Sequence, residues 1–421
     1  MVGVALHELR NYQASATDRV RSEWACGHAA VCLVAPTGSG KTRMGEELIL
    51  DAPSVVWVAP RREIVKQTAE RLSRRFGSSN VGVLMGGQPV GHPTRILVAT
   101  IQSLASTDTV SPTHMVLDET HHYVAEDWLR IVRRHAGVRT LGLTATPERQ
   151  DGTPLGDIFS SIVVAATYSE LIAAGHLVPV RAYRPATYLG NDLAQDPVEA
   201  WLNLSEGSRA FVFCPRVEIA EATAQRFRDS GVIAATIEAA TPSRERDRIL
   251  ADFRRGRIKV ITNVNTMTEG VDVPEARTVI LAKAYGHAGA FMQACGRALR
   301  TAERKEDAIM IDLTGASLRH GLPTDDREYS LMGRAISGGD RPQVGEREAV
   351  EFTQEVRGVG LRLVARGALP VGSVPTTQPR SHVDNEARRR ALEAMRSNAK
   401  THGLRPSLGD ILFAQKFGGG R

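Results

Sequence analysis

The segment from Ala35 to Thr42 is a glycine-rich turn that ends in lysine and threonine, residues whose side chains can bind or position a ligand. An apolar run, Ala29 to Ala35, precedes it, and helix-forming residues from Met44 to Leu50 follow it. Glycines let backbone N–H groups turn inward around a phosphate, and the start of a helix adds its positive dipole end. The sequence therefore predicts a phosphate-binding loop. Its nucleotide-binding residues are predicted to be Pro36, Thr37, Gly38, Ser39, Gly40, Lys41 and Thr42.

A carboxylate pair, Asp118 and Glu119, directly follows the strand-like run 115–117. Lys41 can reach the β- and γ-phosphates of a nucleotide, and the Thr42 hydroxyl and Asp118 can hold Mg²⁺. Glu119 can orient and deprotonate an attacking water. The alternative, a surface acidic turn, is disfavoured by the phosphate loop upstream. The two motifs together predict hydrolysis of ATP with Mg²⁺ as the metal.

Three further polar residues lie just after strand-like runs. His121 comes just after the carboxylate pair, and Thr144 and Thr146 follow the apolar run 141–143. No third ligand accompanies the histidines at 121 and 122, so we predict hydrogen bonding rather than metal binding for His121. Because the carboxyl ends of parallel strands meet at one edge of a sheet, these residues can converge on the phosphate loop.

The residues from Leu9 to Gln13 precede the phosphate loop. The Gln13 amide can both donate to and accept from an adenine edge, and Arg10 or Tyr12 could cover a purine face. We predict that Arg10 and Gln13 bind the nucleotide base. An exposed helical glutamine without a ligand is the alternative interpretation.

A third cluster, Gln293, Arg297 and Arg300, falls on one face if the segment is a helix, at positions i, i+4 and i+7. Two guanidiniums on one face could stabilise the charge of a triphosphate during its hydrolysis. An arginine-rich solvated face is the alternative.

Charge, cysteine content and the length of apolar runs limit the kinds of protein that this chain can be. The 421 residues include 53 Lys and Arg against 47 Asp and Glu, a net charge of +6 that suits a polyanionic partner but also ordinary solvated charge. The four cysteines form no C-x-x-C pair, which predicts neither a zinc site nor a disulfide framework. No apolar run approaches about 18 residues, and no secretory signal core opens the chain. These features predict a reduced, cytoplasmic setting.

Strand-like and helix-like runs alternate twice along the chain, which predicts parallel sheets covered on both faces. We predict an α/β fold with a first domain over residues 1–165, a hinge over 166–200 and a second domain over 201–320. Residues 321–421 are predicted to be linker with a short element near 350–365 and a basic helix over 384–402. That helix could grip nucleic acid or simply dock on the second domain.

The motifs together, in their order along the chain, resemble those of superfamily 2 helicases and translocases of the DExH type. The similarity extends to bacterial RadD-like and phage DEAD/DEAH-box helicases and covers about three quarters of the chain. It rests on segments 9–13, 35–42, 59–67, 99–104, 118–121, 144–147, 211–215, 262–274 and 293–300.

The resemblance implies two RecA-like P-loop domains that hydrolyse ATP between them. Arg297 and Arg300 would act as arginine fingers, and Gly270 and Asp272 would sense the nucleotide. The resemblance also implies that Thr144 and Thr146 couple hydrolysis to movement. The nucleic-acid contacts would be made by Pro60, Arg61, Arg62, Gly86, Gly87, Thr100, Gln102, Thr262 and Asn263. Such groups suit phosphates and sugars rather than base edges, so binding should be independent of sequence and sensitive to salt.

The resemblance implies a nucleic-acid-stimulated ATPase, with DNA as the favoured partner. An RNA helicase, a duplex translocase that does not separate strands, and a binding module with a degenerate ATPase remain alternatives. Lys41, Glu119 and Arg297 argue against the last of these.

Overall fold

The computed structural model describes residues 8–86, 94–107, 110–120, 125–147, 154–267, 273–332, 352–355 and 361–365, and for 125–129, 352–355 and 365 it describes the backbone alone. The chain divides into two compact units. The first comprises Met1–Leu177, Gly286–Gly296 and Asp325–Glu348, and the second comprises Val178–Tyr285, Arg297–Thr324 and Ala349–Arg421.

The first unit is built on a seven-stranded sheet in which every strand pair is parallel. The strands are β1 Ala30–Val34, β2 Val55–Ala59, β3 Val81–Leu84, β4 Ile96–Thr100, β5 His114–Asp118, β6 Arg139–Thr144 and β7 Ser161–Val164. Their spatial order is β3-β4-β2-β5-β6-β1-β7. All seven carboxyl ends therefore lie at one edge.

The second unit is built on an eight-stranded sheet of order β10-β11-β9-β12-β13-β8-β15-β14. Its strands are β8 Val180–Arg184, β9 Ala210–Phe213, β10 Ala234–Ile237, β11 Val260–Asn263, β12 Thr278–Leu281, β13 Ala308–Asp312, β14 Phe352–Glu355 and β15 Arg362–Ala365. The first six are parallel, and the last two form an antiparallel hairpin that continues the sheet from β8.

Helices connect the strands and cover both faces of each sheet. They are α1 Asn11–Ala25, α2 Lys41–Leu48, α3 Arg62–Phe76, α4 Ile101–Ala105, α5 Ala125–Arg134, α6 Tyr168–Ala173, α7 Pro197–Leu204, α8 Val217–Asp229, α9 Ser243–Arg254, α10 Ala288–Gly296 and α11 Ala316–His320. In the first unit, separate hydrophobic clusters form on the two faces of the sheet. Strands β2 and β4 are buried along their whole length, which is why their sequences are continuously apolar.

The structure confirms the α/β class and two sheets of parallel strands, the second of which is extended by an antiparallel hairpin. The segment predicted as a hinge carries α6, β8 and α7, and β8 belongs to the second sheet. The element predicted near 350–365 is a strand pair rather than helical or irregular chain. The basic helix over 384–402 lies outside the described residues, and the domain boundaries stay predictions. None of the described helices is both long and apolar enough to span a membrane.

Gly142 lies in the middle of β6, between β1 and β5, where the sheet leaves no room for a side chain. A Cβ there would lie 2.7 Å from Phe159 Cε1 and 2.9 Å from Thr120 Cγ2, and both neighbours are fully buried. Replacing Gly142 by alanine is expected to lower the free energy of unfolding by about 1–3 kcal/mol through overpacking. Urea or thermal unfolding of the variant measures the effect.

The control is the variant Phe159→Leu, which removes the ring that meets the new methyl group. The double variant Gly142→Ala/Phe159→Leu should be more stable than the sum of the two single effects predicts. Strict additivity, or an unchanged stability for Gly142→Ala, would show that the site can relax without loss.

Candidate nucleotide site and groove

The phosphate loop leaves β1 and enters α2 at the carboxyl edge of the first sheet. Gly38 and Gly40 have φ of +90° and +84°, and Gly40 is the N-cap of α2. These left-handed angles strongly favour glycine, and they turn the loop back toward the helix. The Ala35 N–H donates to the Thr144 carbonyl over 3.0 Å, which ties the loop to the end of β6. The Lys41 ammonium lies 3.4 Å from the Ala35 carbonyl, to which it donates.

The start of α1 holds the loop from a second side. The Tyr12 hydroxyl and the Gln13 amide both donate to the Ser39 carbonyl, over 2.5 Å and 2.9 Å. The Gln13 Oε1 accepts from the Arg10 backbone N–H over 3.0 Å, and Gln13 is buried. This geometry is consistent with the prediction that Gln13 lies at the nucleotide site. In this conformation the Gln13 amide stabilises the loop through its hydrogen bond to the Ser39 carbonyl. The Tyr12 ring lies 5.4 Å from the ring of His176, a residue that no motif singled out.

Asp118 ends β5, two strands from β1, with β6 between them. Burial, together with the neighbouring Glu119 carboxylate, raises the pKa of Asp118, and the Lys41 ammonium partly opposes this rise. Glu119 follows with φ +52°, a left-handed conformation that is uncommon for a residue other than glycine. Such backbone strain clusters at active sites. Asp118, Glu119 and Thr144 thus lie at the edge that holds the phosphate loop.

The threonines after β6 form a compact turn. The Thr144 hydroxyl donates to the Thr146 carbonyl over 2.6 Å and accepts from the Thr146 N–H over 3.1 Å. Both residues are buried, and this fixed turn connects the end of β6 to the phosphate loop through the Ala35 contact. The arrangement suits the coupling role that the resemblance to helicases implies for Thr144 and Thr146.

The residues at this edge fit a bound Mg²⁺ ion. The Ser39 hydroxyl oxygen is buried and has no hydrogen-bond partner within the described chain. Asp118 offers a carboxylate whose burial a cation would offset, and Thr42 offers a hydroxyl from the first turn of α2. Oxygen donors of this kind suit Mg²⁺, which binds through one or two protein ligands together with substrate phosphates.

Helix α10 lies against the phosphate loop within the first unit. A Cβ on Gly289 would lie 2.8 Å from Thr146 Oγ1, and one on Gly296 would lie 2.6 Å from Thr37 Cβ. Gln293 is buried and shares this face, since it lies four residues after one glycine and three before the other. The structure therefore brings Gln293 to the phosphate loop.

The predicted single helical face of Gln293, Arg297 and Arg300 is wrong. Helix α10 ends at Gly296, Arg297 lies in the turn that follows, and Arg300 lies beyond the helix in a β-bridge. Glycine is a poor helix former, and the close packing of Gly296 on Thr37 leaves no other residue room there. Arg297 is buried and Arg300 partly buried, and both belong to the second unit.

A groove of about 390 Å³ crosses the other half of the same edge, at the ends of β2, β3 and β4. It contains most of the first unit's predicted nucleic-acid residues, together with two serines. Its lining residues are Pro60, Arg62, Gly86, Thr100, Gln102, Ser103 and Ser106. Arg61 adjoins it as the N-cap of α3, and Gly87 lies outside the described residues.

Hydrogen bonds shape the floor of this groove. Ser103 Oγ accepts from the Gly86 N–H over 3.2 Å and from the Thr100 hydroxyl over 2.9 Å, so it joins the ends of β3 and β4. Thr100 is buried and caps α4, whereas Arg62 and Gln102 are exposed. The groove thus offers an exposed guanidinium and amide above a floor of hydroxyl groups.

Thr262 and Asn263 do not fit the role predicted for them. Both side chains are fully buried in β11 of the second unit. The Thr262 hydroxyl pairs with that of Thr236 over 2.9 Å, and the Asn263 amide donates to the Val212 carbonyl over 3.1 Å. A strand in the middle of a covered sheet turns both faces inward, so direct contact from these side chains is not supported. His121, Gly270 and Asp272 lie outside the described residues.

An ion-pair network between α2 and α3 was not predicted from the sequence. Glu46 is buried and pairs with Arg71 and Arg75, the latter over 2.9 Å, and Arg75 also bonds Glu47 over 2.9 Å. The helix that begins at Lys41 is thereby fastened to the helix that begins at Arg62. Glutamate and arginine at helical spacing usually indicate solvated faces, so only the structure could reveal this connection.

Two family models match the chain. Residues 6–149 match the model described as the type III restriction enzyme res subunit, and residues 195–302 match the helicase conserved C-terminal domain. These ranges contain the phosphate loop, the carboxylate pair, the groove and both arginines of the third cluster. Both matches support the resemblance to superfamily 2 helicases and translocases.

Curated relatives agree with this assignment. The chain is 28% identical to a 51.5 kDa protein of a Lactococcus phage, over 70% of this chain and 68% of that protein. It is 24% identical to the DNA 3'-5' translocase XPB2 of Sulfurisphaera tokodaii, over 73% of this chain and 81% of that protein. Of several other curated helicases that it matches, the chain spans 55–59% of the length.

Among solved structures, a fragment of a putative HsdR subunit of a type I restriction enzyme from Vibrio vulnificus has a similar fold. The TM-score is 0.59 at 20% identity, over 75% of this chain and 66% of that chain. This likeness shows the fold, which is that of tandem RecA-like domains.

Proposed function

We propose that this protein is an ATP-dependent DNA helicase or translocase. One observation carries the proposal: a single sheet edge holds a nucleotide site at the ends of β1, β5 and β6 and a groove at the ends of β2, β3 and β4. Because both sites lie on one rigid edge, ATP binding and hydrolysis at the first site can change how a polymer is bound in the groove. The Glu46 network, which fastens α2 to α3, supports the same coupling.

In this proposal each residue of the nucleotide site has a definite role. The phosphate loop and Lys41 bind the triphosphate, Thr42 and Asp118 would hold Mg²⁺, and Glu119 positions the water and takes its proton. Bound Mg²⁺ would neutralise charge on the β- and γ-phosphates. Thr144 and Thr146 relay the state of the phosphates along the edge.

DNA is favoured over RNA by the relatives. The names of two of them, a DNA translocase and a putative DNA 3'-5' helicase, specify DNA. The groove itself offers groups that suit phosphates and sugars, which both nucleic acids have.

Two displacement assays test whether the motor unwinds or only moves. Release of one strand from a forked DNA duplex reports unwinding, and release of a third strand from a DNA triplex reports movement along intact duplex. Each should depend on ATP. Triplex displacement without duplex unwinding would identify a translocase, and ATP-dependent activity in neither assay would contradict the proposal.

Replacing Arg62 by alanine tests the groove. Arg62 is exposed and projects toward Gly86 across the groove, where a Cβ on Gly86 would lie 3.4 Å from its guanidinium. Loss of one phosphate contact should weaken DNA binding severalfold at any base sequence and lower the salt slope of log Kd by about 1. Fluorescence anisotropy over a salt series measures both quantities.

The matched control is Arg74→Ala, at the other end of α3 and also exposed. It should bind DNA like the unaltered protein. Equal affinity and equal salt slope for the two variants would remove Arg62 from the interface.

A further inference from the structure

The carboxyl edge of the second sheet carries two cations that neither the nucleotide site nor the groove explains. Arg216 lies just after β9 and is the N-cap of α8, and Lys283 lies just after β12. Strands β9 and β12 are parallel neighbours, with Phe213 opposite Leu281 at their ends. Both cations therefore emerge side by side at one edge.

Lys283 is held in place by two neighbours. Its ammonium donates to the Asn265 side-chain carbonyl and lies 4.9 Å from the centroid of the Tyr285 ring. Asn265 follows β11 and has φ +57°, a conformation that asparagine tolerates better than most residues. Because β11 lies on the other side of β9, the contact between Lys283 and Asn265 spans the end of β9.

The charges at this edge are not neutralised by carboxylates of the described chain, in which neither Arg216 nor Lys283 forms an ion pair. The amino edge of the same sheet differs. There Arg181 pairs with Asp307 over 2.5 Å, and Arg277 pairs with Glu206 over 2.9 Å. Partial burial also lowers the pKa of Lys283, which means that holding this charge here is unfavourable unless an anion joins it.

The surrounding chain indicates which anion would bind. The segment between β9 and α8, Cys214–Arg216, has no glycine and cannot form a second phosphate-binding cradle. The Lys283 ammonium is a point charge held by Asn265 and Tyr285, and such a charge suits one phosphodiester of a polymer better than a triphosphate. Thr262 and Asn263, the nucleic-acid contacts that the resemblance implied for the second unit, are both buried.

We propose that Lys283, positioned by Asn265 and Tyr285, contacts a backbone phosphate of nucleic acid in the second unit. This proposal rests on the proposed function. This contact would not depend on the base sequence. Through it the second unit would bind the nucleic acid in addition to the groove of the first unit.

The test compares Lys283→Ala with Lys259→Ala. Lys259 is also partly buried, but it precedes β11 at the opposite, amino edge of the same sheet. Anisotropy with labelled single-stranded DNA of two unrelated sequences gives Kd over a salt series. For Lys283→Ala we expect binding about three- to tenfold weaker for both sequences, with a salt slope lower by about 1. Lys283→Arg should retain most of the affinity.

ATP hydrolysis without DNA is the second measurement and should stay within about twofold for Lys283→Ala. Equal affinity and slope for Lys283→Ala and Lys259→Ala would overturn the proposal. A parallel loss of DNA-free hydrolysis would also overturn it, because it would indicate a structural role. If the unaltered protein binds neither DNA nor RNA, the proposed function itself fails.

Discussion

Replacing Glu119 by glutamine is expected to lower ATP turnover by about 10²–10⁴-fold while ATP still binds. The amide has the shape of the carboxylate but cannot take a proton from the attacking water. Glu119 directly follows Asp118 at the end of β5, and its φ of +52° fixes its direction in a strained conformation. Steady-state phosphate release gives the rate, and a fluorescent ATP analogue gives the affinity.

A matched control is Glu63→Gln, in the exposed first turn of α3. This change has the same chemistry but lies outside the proposed catalytic site, so turnover should be unchanged. A Glu119→Gln variant that hydrolyses ATP at more than a third of the normal rate would exclude Glu119 as the base. Loss of ATP binding together with turnover would instead indicate damage to the phosphate loop.

Replacing Arg300 by alanine is expected to lower kcat by about 10³–10⁵-fold if Arg300 is an arginine finger, as the resemblance to helicases implies. Such an arginine stabilises charge that develops only in the transition state, so affinity for ATP should change little. Arg300 is partly buried and lies in a β-bridge four residues after the end of α10. The measurement is kcat and the affinity for ATP in the presence of saturating DNA.

Arg304→Ala is the control, since Arg304 lies four residues further on with a side chain that is 91% exposed. Arg300→Lys is also informative, because lysine keeps the charge without the planar fork. If Arg300→Ala retains kcat but loses ATP affinity, its role is ground-state binding. An unchanged kcat would leave Arg297 as the candidate finger.

The first unit was largely predictable because its signals are local. A glycine loop between a strand and a helix, and a carboxylate pair after a strand, each require only a few consecutive residues. Parallel strands then place Lys41, Asp118 and Thr144 at one edge. Five of the seven residues that line the groove are among the nucleic-acid contacts that the resemblance to helicases implies.

The failures concern features that depend on distant contacts. The glycine at the end of α10 packs on Thr37, more than 250 residues earlier in the chain, and that contact leaves no room for a side chain. The burial of Thr262 and Asn263 follows from the place of β11 inside its sheet. The strand pair β14 and β15 was missed because its partner, β8, lies in the segment predicted as a hinge.

A late segment of the chain, which begins at Asp325, belongs to the first unit, and no local sequence pattern predicts this. The Leu331 carbonyl accepts from the Gly156 N–H over 2.7 Å, and Asp326 accepts from the Ser169 N–H over 3.0 Å. These contacts place residues that the sequence assigned to a C-terminal extension on the body of the first unit. Contacts of this kind join segments far apart in the chain, so no local sequence pattern predicts them.

The most direct test of the central claim is steady-state ATP hydrolysis without nucleic acid and with single-stranded DNA, duplex DNA, single-stranded RNA or duplex RNA. Each condition is measured at low and moderate salt, because backbone contacts weaken as salt rises. An ATP-driven DNA motor predicts strong stimulation by DNA, weaker stimulation by RNA, and loss of the DNA effect at higher salt. ATP hydrolysis that none of the four nucleic acids changes would contradict the proposed function.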